Sequence, residues 1–307
     1  MKKINVGVIG TGRIGRLHAE NLTYRLPQAN LVAVSDIFVE AAEGVAAQFG
    51  VPAAYKDPRR ILDDQNVDAV LICSSTDTHA QLIEEAAGAG KQIFCEKPIA
   101  HDLADIDQAL AAADRAGVKL MIGFNRRFDP NFARVREVVA AGEIGEPHIL
   151  HIMSRDPAPP PIEYIKVSGG LFLDMTIHDF DMARFLVGAE VEAVYAAGGV
   201  MVDPAIGAAG DIDTAIITLH FENGVLGNID NSRQAVYGYD QRVEVFGSKG
   251  AVSADNDYPN TAVISDAHRI HRDLPLNFFM ERYTQSYVNE IKAFVDCVLN
   301  DTPPPVT

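Results

Sequence analysis

Ile4-Asn5-Val6-Gly7-Val8-Ile9-Gly10-Thr11-Gly12-Arg13-Ile14-Gly15 opens the chain with an apolar strand that runs straight into a glycine turn and a helix. In this G-x-G-x-x-G pattern Gly10 permits the tight turn, Gly12 removes the side chain where a phosphate must approach the backbone, and Gly15 lets the helix pack on its strand. Free amides at the helix start then face an anion. The same glycines occur in ordinary loops. Here the setting is the required one: strand before, helix over 14–26 after, and an acidic residue, Asp36, closing the next strand at 31–35. A carboxylate there suits the ribose hydroxyls of a dinucleotide and repels a 2′-phosphate, so the expected cofactor is NAD rather than NADP. Arg13 reads either as a contact for an added phosphate or as a solvated surface arginine.

Working outward, apolar runs at 4–9, 31–35, 69–73, 92–95 and 119–122 alternate with helical stretches ending near 26, 49, 89 and 116. Short apolar strands separated by helices imply a parallel sheet covered on both faces, hence an α/β, doubly wound nucleotide domain over 1–122. Ligands of such sheets lie beyond the carboxyl ends of the strands, where Gly10, Asp36, Ser74 and Glu96-Lys97-Pro98 all fall. After Gly123 the pattern changes. A helix near 130–141 leads to a strand at 148–154, then to Pro157, Pro159, Pro160 and Pro161, which fit neither helix nor central strand. A second helix starts after Gly169-Gly170. Alternating segments near 190–202, 212–221, 224–231, 241–247 and 261–265 without intervening helices read as an open, mostly antiparallel sheet. A last helix is expected over 274–298, in a second domain spanning 123–307.

At 307 residues, two domains are the natural expectation. The net charge of −16 argues against nucleic acid or an anionic membrane as partner, since a duplex binder needs a basic footprint. A small neutral or cationic substrate fits better. Six apolar residues at the start are too few for a signal core or a membrane span, so a cytoplasmic protein is expected. Cys73, Cys95 and Cys297 have no metal-ligand spacing and read as reduced thiols.

Two groups of residues carry candidate chemistry. Lys97 follows a strand at the ligand edge of the sheet, with Pro98 limiting its backbone, and desolvation beside a cofactor would lower its pKa. The tripeptide reads equally as a surface turn. In Gly169-Gly170-Leu171-Phe172-Leu173-Asp174-Met175-Thr176-Ile177-His178-Asp179, Asp174 and His178 are i and i+4 on a helix, and a carboxylate-held imidazole suits proton transfer near neutral pH. The plain alternative is a satisfied core histidine. A metal site of His178, Asp174 and Asp179 would need a further ligand such as His148 or His151. Arg127 and Asp156 stand just past strand ends, where they suit either a polyhydroxylated ligand or a structural ion pair. Tyr237, Tyr239, Tyr283 and Tyr287 read first as packing residues with a wet end.

In this order and at these separations, the glycine turn, Glu96-Lys97-Pro98 and Gly169-Gly170-x-x-x-Asp174-x-x-x-His178-Asp179 form a highly specific set. The chain resembles the glucose-fructose oxidoreductase/inositol dehydrogenase family over essentially its whole length. Arg155-Asp156-Pro157-Ala158-Pro159-Pro160-Pro161 with Tyr237-Gly238-Tyr239-Asp240 looks most like the inositol 2-dehydrogenase branch. The resemblance implies an N-terminal Rossmann domain and a C-terminal α/β domain with an open sheet, on whose face a homodimer or homotetramer is built. It implies catalytic Lys97, Asp174 and His178, no metal, and NAD held by Gly10, Thr11, Gly12, Arg13, Ile14, Asp36, Ser74, Thr76, His79, Glu96 and Lys97. Substrate contacts implied are Arg127, Asp156, Asp179, Tyr237 and Tyr283. The activity implied is oxidation of a secondary hydroxyl of a cyclic polyol, myo-inositol to its 2-keto product foremost. Another sugar or polyol dehydrogenase, or a non-catalytic NAD-sensing regulator, would keep the same nucleotide grip. One departure is that the chain stops at Thr307, where the family continues into a further helix.

Overall fold

The computed structural model describes residues 2–307. The chain forms two compact units, one from the residues up to Asn125 together with Tyr287–Thr307, the other from Arg126–Ser286. The expected division after residue 122 lies three residues before the observed one, and residues 287–307, placed with the second domain from the sequence, return to the first unit.

The first unit is a six-stranded sheet of β1 (Ile4–Ile9), β2 (Ala29–Ser35), β3 (Ala53–Tyr55), β4 (Ala69–Ile72), β5 (Gln92–Glu96) and β6 (Leu120–Gly123), ordered β3-β2-β1-β4-β5-β6. All its pairs are parallel. Val6, Val8, Ala69, Val70, Leu71, Ile72, Ile93 and Phe94 are buried, as expected of strands covered on both faces. The strand order reverses between β1 and β4, so the crevice for a ligand opens beyond Gly10 and Ser74. β3 escapes sequence reading because Ala-Ala-Tyr is too short to show a period. In the last helix Val288, Ile291, Phe294 and Val295 form a buried i, i+3, i+6, i+7 stripe, each worth about 1.5–3 kcal/mol of burial.

The single helix expected over 274–298 is instead two, Phe279–Arg282 and Thr284–Asn300, separated at Tyr283. Residues ahead of them are held extended by tertiary hydrogen bonds, Leu276 N–H to Asp257 O and Tyr239 N–H to Leu276 O, each 3.0 Å. These override the local helical preference.

The second unit is built on β7 (Pro147–Arg155), β8 (Val191–Gly199), β9 (Thr214–Phe221), β10 (Leu226–Ser232), β11 (Asp240–Gly247) and β12 (Gly250–Ala254), ordered β12-β11-β7-β10-β9-β8. Every neighbouring pair is antiparallel except β10 with β7. Alternation is clear in β9, where Ala215, Ile217, Leu219 and Phe221 are buried and the residues between them face outward. Helices Pro130–Ala140 and Ile177–Val187 pack on this unit's sheet. The segment near 261–265 lies outside the sheet, since β13 (Val263–Ser265) pairs only with β14 (Ile270–Arg272). Among the described residues no helix is long and apolar enough to cross a membrane.

Candidate active site

In the first unit the glycine turn has the geometry its sequence implies. Gly10 adopts φ +91°, and a Cβ there would stand 2.5 Å from the Ser74 amide nitrogen. A Cβ on Gly15 would meet the Gly10 carbonyl oxygen at 1.8 Å, so the close helix–strand approach excludes any side chain. At Gly12 nothing lies within 4 Å of an added Cβ, leaving open space where a phosphate would meet the backbone. Helix Arg13–Tyr24 starts with no side-chain cap and no acidic residue in its first turn. Its first amides and dipole are thus directed to an outside anion, and the site fits a dinucleotide.

Asp36 sits at the end of β2, and its Oδ2 accepts from Thr11 N–H at 2.8 Å and Thr11 Oγ1 at 3.0 Å, while Oδ1 accepts from Phe38 N–H at 3.0 Å. The carboxylate therefore braces the glycine turn and stays half-exposed. Across the crevice Ser74 Oγ lies 2.6 Å from Thr78 Oγ1, and Thr76 begins helix Thr76–Gly88. Arg13 is exposed and Ile14 half-buried at the helix start. His79 is buried with Nδ1 2.8 Å from Pro98 O and Nε2 3.0 Å from Ser74 O, so its ring ties together the loops after β4 and β5. Glu96 turns its carboxylate to His18, with Oε1 2.7 Å from Nε2. Lys97 is half-buried directly beyond β5, and its peptide bond to Pro98 is cis.

In the second unit Gly170 (φ +80°) starts the segment, and Leu171 N–H donates to Asp211 Oδ1 at 3.1 Å. The regular helix expected from 171 onward is π-helical over Phe172–Thr176 and becomes α-helical at Ile177–Val187. The widened turn re-aims Asp174 relative to a plain i, i+4 pair, a device common at functional sites. Asp174 Oδ1 accepts from Tyr164 OH at 2.8 Å and Oδ2 from Arg233 Nη1 at 3.1 Å. Arg233 is almost fully buried and also lies 3.5 Å from Asp211. Both Asp174 and His178 are half-buried. Neither Arg233 nor Tyr164 emerged from the sequence, because they stand 59 and 10 residues from Asp174 and meet it only through the fold, which leaves no spacing signal.

The residues expected to touch substrate divide by burial. Asp179 is fully buried, with Oδ1 accepting from Arg126 Nη1 at 2.6 Å and Oδ2 from Asn231 Nδ2 at 2.8 Å. Burial raises its acid above the ordinary range, against the opposing pull of Arg126. Tyr283 is buried between Arg126 and Arg282, its hydroxyl 3.4 Å from Gln241 Oε1, and burial pushes its pKa to about 12. Arg127 grips Asp181 with Nε and Nη2 at 2.6–3.1 Å. Tyr237 OH accepts from Arg155 Nη1 at 3.0 Å and donates to Asp240 Oδ2. Asp156, past the end of β7, is half-buried, and its pKa rises to about 6. Desolvation is the main cause, Arg233 and Arg126 pull it down, and Asp174 and Asp179 push it up. These mutual influences place Asp156, Asp174, Asp179, Arg126 and Arg233 in one electrostatic cluster. His148 and His151, considered as metal ligands, stand exposed on β7.

Comparison with known proteins gives the family. Residues 4–124 match the GFO_IDH_MocA model, an oxidoreductase family with an NAD-binding Rossmann fold, and residues 132–253 match the GFO/IDH/MocA C-terminal domain. The chain is 54% identical to the myo-inositol 2-dehydrogenase of Thermotoga maritima over 99% of its own length and 91% of that protein. It is 48% identical to the inositol 2-dehydrogenase of Rhizobium meliloti over 96% of this chain and 88% of that one. The crystal structure of scyllo-inositol dehydrogenase from Lactobacillus casei with bound NAD(H) and scyllo-inositol superposes with a TM-score of 0.93 at 31% identity, covering 100% of this chain and 92% of that one. With both domain models matched in order and the glycine turn, Glu96-Lys97-Pro98 and the Asp174–His178 turn in place, the chain belongs to the Gfo/Idh/MocA family of NAD-binding oxidoreductases.

Proposed function

We propose that the protein oxidises a secondary hydroxyl of a cyclic polyol with NAD, converting myo-inositol to its 2-keto product. The observation that carries this reading is one chain combining a glycine turn braced by Asp36 with an Asp174–His178 turn whose carboxylate is held by Tyr164 and Arg233. Relatives that act on inositols support the substrate. When bound, NAD supplies the hydride acceptor. His178 takes the hydroxyl proton, which must leave as hydride departs, because an alcohol whose pKa lies far above neutrality gives up hydride only as alkoxide character develops. Asp174, fixed by two donors, orients His178 and anchors a neighbouring hydroxyl. Lys97 stabilises the developing oxyanion. Asp156 accepts from substrate hydroxyls, while Arg127, Asp179, Tyr237 and Tyr283 hold the pocket wall through their internal partners.

The test is a screen of nicotinamide reduction across inositol isomers, glucose and other hexoses. Myo-inositol is expected to give the highest kcat/KM; a hexose preferred over every inositol would overturn the substrate assignment.

Two further outcomes follow from single groups. Asp36→Ala removes the carboxylate that repels a 2′-phosphate and is expected to narrow the NAD over NADP preference in kcat/KM by about tenfold or more. Wild-type protein using both equally would contradict the ribose role. Asp156, with its pKa at about 6, loses acceptor capacity as it protonates. Below that point kcat/KM for the polyol is expected to fall by about tenfold per pH unit, and Asp156→Asn should remove the Asp156 share of this limb, leaving only that of the base His178. Because the native state holds that proton more tightly than the unfolded chain, whose carboxyl titrates near about 4, this group stabilises the fold at low pH. That contribution is lost as the pH rises from about 4 to 6. A limb identical in position and slope in Asp156→Asn assigns it to another group.

The protein is proposed to work in the cytoplasm as a homodimer or homotetramer. The first point is supported by three cysteines standing as free thiols. The second is supported by exposed Ile149, Val194, Tyr195, Ile216, Leu226 and Phe246 on strands of the second unit's sheet. Light scattering at micromolar concentration tests it: a dimer or tetramer is expected, and a monomer would contradict it.

A further inference from the structure

Glu290 is the most unusual buried group of the nucleotide-binding unit. It lies on helix Thr284–Asn300, is 0% exposed, and neither of its carboxyl oxygens has a hydrogen-bond partner. Its carboxyl oxygen and the polar atoms of His18 and Glu96 all lie within 4.8 Å of one another. His18, from helix Arg13–Tyr24, is itself fully buried and holds Glu96 Oε1 at 2.7 Å through Nε2. Gly123 at the end of β6 keeps room for Glu96, since a Cβ there would stand 2.9 Å from Oε2. Three separate elements thus converge on a single carboxylate, and the next residue along the chain is Lys97.

Two carboxylates this close in the interior cannot both carry charge without a large desolvation and repulsion cost. Burial first, and the charge of Glu96 second, push the Glu290 acid well above the usual carboxylate range. The same burial and repulsion favour the neutral form of Glu290 over the charged one. The groups around it are Glu96 on β5, His18 on the first helix and Cys73 just beyond β4, whose thiol is raised by burial and then by Glu96, Cys95 and Glu290.

We propose that Glu290 is a positioning residue for Lys97: buried within 4.8 Å of Glu96 and His18, its carboxyl sets the seating and charge of the carboxylate that ties the end of β5 to the first helix, and so fixes the lysine that follows. The inference rests on the Lys97 role proposed above. Its effect reaches the substrate only through the backbone and charge of Glu96.

The experiment compares Glu290→Leu with Glu290→Gln, which keeps the shape and the polarity without a charge. Trace acetylation of Lys97 by acetic anhydride across a pH series, read by mass spectrometry on the folded protein, gives the titration midpoint of its amine without any turnover. Glu290→Leu is expected to shift that midpoint by about half a pH unit or more and to lower kcat about tenfold or more, with KM changed less; Glu290→Gln restores both. If Glu290→Leu does not fold, Glu290→Met is read in the same way. An unshifted midpoint in the folded apolar variant overturns the proposal, as does a glutamine variant as impaired as the leucine one. So does a stoichiometric divalent metal bound by the wild type and lost in Glu290→Leu, which would make the three groups ligands. Wild-type protein that oxidises no polyol would sink the function reading alone, because the acetylation midpoints would still decide the role of Glu290.

Discussion

His178→Ala is expected to lower kcat with myo-inositol by roughly two to four decades while changing NAD affinity little, because a positioned general base contributes on that order to proton transfer. The nucleotide grip, Gly10 to Gly15 with Asp36, belongs to the other unit and is untouched by the substitution. Lys97→Met removes a donor to the developing oxyanion, for which a loss of about two to three decades is typical. Since the two groups act on one proton and one oxygen, the double variant should lose far less than the product of the single losses. Steady-state kinetics with fluorescence titration of NAD separates turnover from binding. Unchanged turnover in His178→Ala would remove it from the base role.

Arg126→Met should destabilise the protein by about 3–5 kcal/mol, the cost of leaving a buried charge without its partner. Arg126 is 5% exposed and Asp179 0%, with Nη1 and Oδ1 2.6 Å apart. The guanidinium also reaches Tyr239 OH at 3.4 Å and lies over the Tyr283 ring. Burial already raises the Asp179 acid, and Arg126 is the largest influence drawing it down, so its removal raises that acid further. A carboxyl whose native pKa exceeds its unfolded value near about 4 stabilises the fold at low pH and loses that contribution as pH rises through the native value. The deficit of Arg126→Met relative to wild type should accordingly be larger at pH 8 than at pH 5. Urea unfolding at both pH values measures it. A loss below about 1 kcal/mol, within the range of an ordinary surface pair, would show that the pair is not the buried interaction described.

Much of the fold was legible from residues 4–15, because strand, glycine turn and helix are each dictated locally and the turn admits almost no other use. The alternation of β9 and the buried runs of β4 and β5 were equally readable, being periods of side-chain burial. What escaped reading depends on partners distant in sequence. β12 has a single buried residue, Ala254, and so shows no apolar alternation. Val288, Ile291, Phe294 and Val295 announce a buried helix face but not the unit it packs with. In the site, Asp174 and His178 were found by spacing, yet the π turn that aims Asp174 changes backbone hydrogen bonds rather than residue spacing. Arg233, which neutralises Asp174, comes from the end of β10 and is brought there only by the sheet.

The central claim, that hydride leaves a ring carbon of an inositol for NAD while the protein removes the hydroxyl proton, is tested most directly with myo-inositol deuterated at C2. The expected result is reduced nicotinamide carrying the label, formed together with the 2-keto product. Folded protein that binds NAD and yet yields no labelled reduced nicotinamide would contradict it.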